Sequence, residues 1–334
     1  YVTEIIKSIE NRQLNLDEVK FDFQEVNTLN TLEEALDSGN EFKQIFALDL
    51  ISKMPLSPWH EKIVSLFEKG TYPVKREIIK LSQGNEDIIS NELLVRELKN
   101  VSVITPELIT CCVRRNIPGV KSIIEAHLES SDSSILASAA IGYAKINSDK
   151  KKAKKIIDQI LSSGDENQIA KLIKYAKNST NIFSTSEINS FLKSGTYEIQ
   201  NESLKIIALD PKIDHLDHVI NFLGDPMLKR NAERTLLSYP QLISQKKLID
   251  KLASEDTSKT VVIGILKILH HFNKEIAIKT IISKMNDPDL AILGECSDAL
   301  IKIYKSRQIT DEEIRKIESL IQELSKRSYH LHYF

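Results

Sequence analysis

Short polar turns recur along this 334-residue chain at a nearly constant interval, and that regularity restricts the fold more than any other feature. Gly39, Gly70, Asn100, Ser131, Gly164, Gly195, Gly224, Asp256 and Asp287 follow one another at 29 to 33 residues, with a mean of 31. Turns scattered by chance do not hold so narrow a range over a whole chain, so the spacing reads as an internal repeat. The segments on either side of each turn have helical periodicity. Leu216, Val219, Ile220 and Leu223 fall at i, i+3, i+4 and i+7, and Leu228, Ala232, Leu236 and Tyr239 repeat the device after Gly224. Leu290, Leu293, Ala299, Leu300 and Ile303 are expected to do the same in the last copy.

Two short helices cannot bury their own apolar faces, and stacking one pair on the next does so. The sequence therefore predicts an all-α fold, an α-α superhelix of about nine helical pairs. Isoleucine is abundant, but propensity is a weak prior beside a sustained 3.6-residue spacing. Only Val101–Ile104 and Lys20–Phe23 look strand-like, and both are too short to build a sheet. The expected organisation is an N-terminal end segment (1–27), one continuous solenoid (28–306), and a closing helix with a tail (307–334).

Helix starts are marked in the chemistry. Ser57-Pro58, Thr105-Pro106, Asp225-Pro226 and Asp287-Pro288 each set a capping side chain before a proline suited to the first helical position. Thr31 with Glu34, and Thr310 with Glu313, have capping-box spacing.

Composition narrows the class of function. With 41% hydrophobic and 28% charged residues and a mean hydropathy of −0.21, the chain is a core-forming polypeptide. A net charge of −2 disfavours bulk neutralisation of nucleic-acid phosphates. The longest run without charge, Ser133–Ala144, is far short of the roughly 20 residues of a spanning helix. Cys111, Cys112 and Cys296 have no ligand spacing, which suggests a reducing, cytoplasmic setting with thiols packed as small apolar groups. The chain starts at Tyr1 without Met and is expected to be a piece of something longer.

The search for chemistry finds no phosphate-cradling glycine loop, nucleophile elbow or zinc-protease motif. His215 and His218, with Asp214 and Asp217, make the densest His/carboxylate group, but no third metal ligand is identifiable and capping or surface roles are expected. His270 and His271 close a helix and, being adjacent, are expected to point in different directions. His330 and His332 sit in the final Tyr-His-Leu-His-Tyr-Phe, either a strand-like tail or the start of a further domain. The single Trp59 is expected to pack within the first repeats. The sequence thus points to no enzyme, no cofactor and no metal.

Charge offers candidate partner surfaces. Lys150, Lys151, Lys154 and Lys155, with Lys171, Lys174 and Lys177, would form a basic stripe if consecutive repeats stack. It is either a solvated face carrying Ile156, Ile157 and Ile160 inward or a surface for an anionic partner. Lack of interleaved aromatics argues against single-stranded nucleic acid. Arg114 and Arg115, Lys75 and Arg76, and Lys229, Arg230 and Arg234 fall on or near second helices. They either line a partner surface or bridge neighbouring repeats to acidic turns.

Asp225-Pro226-Met227-Leu228-Lys229-Arg230-Asn231-Ala232 resembles the turn and second helix of HEAT repeats, and Met285-Asn286-Asp287-Pro288-Asp289-Leu290 is similar although it lacks the basic residue. Thr31–Asn40, with Phe46–Ile51, resembles the first HEAT unit of bacterial membrane proteins in which a carrier-like region, similar to ATP/ADP translocases, precedes a HEAT domain and often a cyclic-nucleotide-binding-like domain. The run from Asp225 through Tyr304 is similar to the end of that region. The resemblance implies a HEAT-like solenoid acting as a protein-binding scaffold at the cytoplasmic face of a membrane, its partners being other proteins or neighbouring domains of the same chain. No carrier residue falls in this chain. The alternatives are a free-standing cytosolic adaptor, or a HEAT-fold nucleic-acid-binding protein or glycosylase.

Overall fold

A computed structural model describes residues 26–147, 151–177, 182–285 and 287–305, together with positions 315 and 319. The described residues form eighteen α-helices with short 3-10 turns between some of them. The chain divides into two compact units, Tyr1–Ser162 and Ser163–Phe334.

The first unit holds α1 (Val26–Asp37), α2 (Glu41–Ile51), α3 (His60–Lys69), α4 (Tyr72–Leu81), α5 (Asn91–Leu98), α6 (Thr105–Arg114), α7 (Val120–Ala126), α8 (Ser133–Ile146) and α9 (Lys151–Ser162). The second holds α10 (Glu166–Ala176), α11 (Thr185–Lys193), α12 (Tyr197–Leu209), α13 (Leu216–Asn221), α14 (Lys229–Ser238), α15 (Gln241–Ala253), α16 (Lys259–Ile268), α17 (Lys274–Lys284) and α18 (Leu290–Lys305). Each turn picked out by the repeat interval separates the two helices of a pair. Gly39 and Gly164 adopt φ of 64° and 72°, a left-handed conformation that glycine enters without steric cost.

Within each unit the pairs stack as in a HEAT-like solenoid. In the first, the second helices pack in order, α2 on α4, α4 on α6 and α6 on α8. In the second, α10 packs on α12, α12 on α14, and α16 on α18. The core lies between the two helix layers. Leu216, Val219, Ile220, Leu223, Leu228, Ala232, Leu236 and Tyr239 are all buried, as their spacing predicts. Polar bonds one repeat apart in sequence run alongside this core. Thr71 Oγ1 donates to Glu41 (2.6 Å), Arg76 pairs with Glu107 (3.0 Å), and Thr235 Oγ1 donates to the Leu204 carbonyl (3.1 Å). Lys247 pairs with Asp217 (3.1 Å) and Lys259 with Asp289 (2.6 Å).

Several local expectations need correction. The α18 stripe is displaced: Leu290 is 64% exposed, and Ile292 and Cys296 join Ala299, Leu300 and Ile303 in the core. Thr31 lies inside α1 and does not cap it. Asp225 accepts from the Met227 and Leu228 amides (2.8 and 3.0 Å), so Pro226–Leu228 form a turn and α14 starts at Lys229. At α18 the amides of Ala291 and Ile292 are capped by Asp289, not Asp287. Thr105 is itself the first residue of α6, and its Oγ1 accepts from the Ser102 amide (2.8 Å). In each case the polar side chain closes the turn and the helix begins where backbone bonding takes over. Lys20–Phe23, Thr310 with Glu313, His330 and His332 fall outside the described residues, as do most of the two end segments.

Candidate functional site

The residues proposed as partner surfaces end up in different circumstances. Lys151, Lys154 and Lys155 are exposed on α9, opposite buried Ala153, Ile157 and Ile160, while Ile156 is half-buried. Lys171 is half-buried and Lys174 exposed on α10, and Lys177 is exposed just after it; Lys174 Nζ stands 5.2 Å from the Tyr175 ring. These two groups belong to different units, and Lys150 is outside the described residues.

Arg115 is half-buried and tied to the fold. Its guanidinium donates to the carbonyls of Ile89 (2.7 Å) and Ser82 (3.2 Å) and to Asn91 Oδ1 (3.3 Å), tying the end of α6 to the start of α5 and to the end of α4 in the preceding pair. Arg114 is exposed and reaches Gln83 Oε1 at 3.2 Å. These bridges run to carbonyl oxygens, not to acidic turns. Lys75 is buried against Glu97 (3.0 Å) beneath the Phe67 ring.

Lys229, Arg230 and Arg234 are exposed on α14. The helix turns Ala232, Thr235 and Leu236 into the core, sends Asn231 toward Asn201 of α12, and sets Glu233 3.5 Å from His271. Arg230, Arg234 and Leu237, at i, i+4 and i+7, are left on the face away from the core. Exposed Met227 continues that face into the preceding turn.

One histidine is more deeply placed than its sequence context suggested. His215 is buried, not a surface group: its Nδ1 lies 2.8 Å from Asn189 Oδ1, and its Nε2 has no partner among the described residues. Burial holds its pKa below the ordinary imidazole value, against the pull of Asp214. His218 is lowered by burial and then by Lys193. The His270 and His271 rings do not diverge. Their centroids are 3.9 Å apart, and burial, reinforced by His271, lowers the His270 pKa. No cluster of three or more metal-ligating side chains occurs among the described residues. All three thiols are buried; burial pushes Cys112 and Cys296 up to about 12, and these are unreactive, packed groups. Trp59 is buried, as its packing role requires.

A cleft in the second unit is lined by Lys177, Phe183, Ile206, Leu209 and His215 among others. Its enclosed part is ≈ 20 Å³, room for about one or two water molecules. No helix among the described residues is long and apolar enough to cross a membrane.

The fold and these surfaces define a HEAT-like helical-repeat protein. No family model matches the chain. No curated protein matches it either. Among solved structures, human deoxyhypusine hydroxylase in complex with glycerol matches at 11% identity and a TM-score of 0.33, covering 84% of this chain and 99% of that one. That match corrects the expectation of a chain that is no enzyme, since the matched protein is a hydroxylase. At this level of likeness it transfers no activity to this chain.

Proposed function

We propose that this chain is a HEAT-like scaffold that binds a protein element along the outward faces of its stacked second helices. The observation that carries this reading is the direct packing of second helix on second helix, from α2 to α8 in the first unit and from α10 to α14 and α16 to α18 in the second, tied by bonds one repeat apart. Such a stack holds exposed side chains in fixed register over several repeats, as extended recognition surfaces require. Cross-linking of the intact protein in its native cells, read by mass spectrometry, tests it. Partner cross-links are expected at Lys205, Lys229 and Lys267 on α12, α14 and α16. Cross-links confined to first helices would sink the reading.

We further propose, from the resemblance of Thr31–Asn40 and Phe46–Ile51, that the scaffold is the cytoplasmic HEAT domain of a transporter-like membrane protein similar to ATP/ADP translocases. The coding sequence upstream decides this: spanning helices are expected there, and a free-standing adaptor would have none.

A further inference from the structure

The cations on the second helices of the second unit differ in what they already hold. Lys205 pairs with Glu202 (2.5 Å), Lys259 with Asp289 (2.6 Å) and Lys267 with Glu295 (3.5 Å). Arg230 and Arg234 have neither an ion pair nor a hydrogen bond among the described residues, although both are exposed. The acid on their own helix is turned aside, Glu233 lying against His271, and Asp225 is engaged in capping its turn. Two unengaged guanidiniums therefore stand one helical turn apart, about 6 Å along the axis.

Apolar side chains bracket them. Met227 is 67% exposed at one end and Leu237 43% exposed at the other. A row of apolar, cationic, cationic and apolar groups on one outward face is complementary to a helix that carries two carboxylates one turn apart between apolar residues. Guanidinium suits that role better than ammonium, because its planar fork meets a carboxylate with two parallel hydrogen bonds. The apolar ends would exclude water from the charge pairs, which is how such pairs gain weight in an interface.

We infer that Met227, Arg230, Arg234 and Leu237 form a docking face for an acidic amphipathic helix of a protein partner. This rests on the scaffold reading and names its surface and the chemistry of its partner. The test uses the full chain and a fluorescently labelled helical peptide with two glutamates four residues apart, flanked by leucines, followed by anisotropy. Binding that weakens with salt is expected, together with a loss of about tenfold or more in the R230E/R234E double variant. K69E/K99E, the same charge change at exposed positions at the end of α3 and just after α5, should bind as the parent does. Circular dichroism checks that both variants remain folded, as substitution of exposed residues should allow. Binding by R230E/R234E within about twofold of the parent would overturn the proposal. So would tighter binding to anionic vesicles or a short DNA duplex than to the peptide. If cellular cross-links survive in R230E/R234E, this face is wrong while the scaffold reading stands. If cross-links avoid the second helices in the parent protein, the scaffold reading itself fails.

Discussion

Gly264 sits where α16 crosses the turn at 222–224, and the approach is closer than any side chain allows. A Cβ there would lie 2.5 Å from the Leu223 carbonyl oxygen and 2.7 Å from Leu223 Cβ. Because one obstacle is backbone, the strain cannot be relieved by a rotamer change. Gly264→Ala should therefore destabilise the protein by about 1–3 kcal/mol or more, measured by urea unfolding. Gly294, exposed on α18, has open space around the position a Cβ would take, with nothing within 4 Å. Gly294→Ala should instead stabilise by about 0.5–1 kcal/mol through helix propensity. Equal effects at the two sites would refute the close crossing as the cause. A second consequence belongs to His215, whose folded pKa is depressed by burial, as are those of His218 and His270. The unfolded chain binds protons more readily than the folded one as pH falls through the unfolded value near 6.5, so this stability is present above that pH and lost below it. The melting temperature should fall between pH 7 and 5, and less steeply in His215→Gln than in the parent. An identical pH profile in that variant would remove His215 from the explanation.

At the scale of the element, the α11 start shows how a helix is fixed by a few polar atoms. Ser184 Oγ accepts from the Glu187 amide (3.2 Å), and the Glu187 carboxylate accepts from the Ser184 amide (2.7 Å), a reciprocal capping box. Ser184→Ala should cost about 1 kcal/mol, with faster hydrogen exchange at the first turn of α11 and little change at α14. Unchanged exchange there would show that tertiary packing alone holds the helix end. The box was present in the sequence as Ser-x-x-Glu, yet Thr31 and Glu34 have similar spacing and lie inside a helix. The motif reports that two side chains can bond, and backbone geometry decides whether a helix begins there. The same limit explains α18. Its apolar residues fit more than one stripe, and packing against α16 and α17 selected the one through Ile292 and Cys296.

At the scale of the whole molecule, the nine turns were legible because each must be polar and tight, and the interval between them needs no knowledge of contacts. The helical pairs and most of the buried stripe through Leu216–Tyr239 followed from the same periodicity. The candidate surface was legible only as a list of cations. Arg115 and Arg230 look alike in sequence, each beside another cation on a second helix. Tertiary structure separates them, sending one to the carbonyls of Ser82 and Ile89 and leaving the other in solvent. The division of the chain into two units likewise depends on which contacts form, and the lysine groups on α9 and α10 fall on opposite sides of it. The sequence by itself determined the all-α class, the repeat length and the turns, because period and polarity are local properties of the chain. Only the tertiary structure decided which charges are engaged, which histidines are buried and where two backbones touch, because those depend on groups brought together from a repeat away.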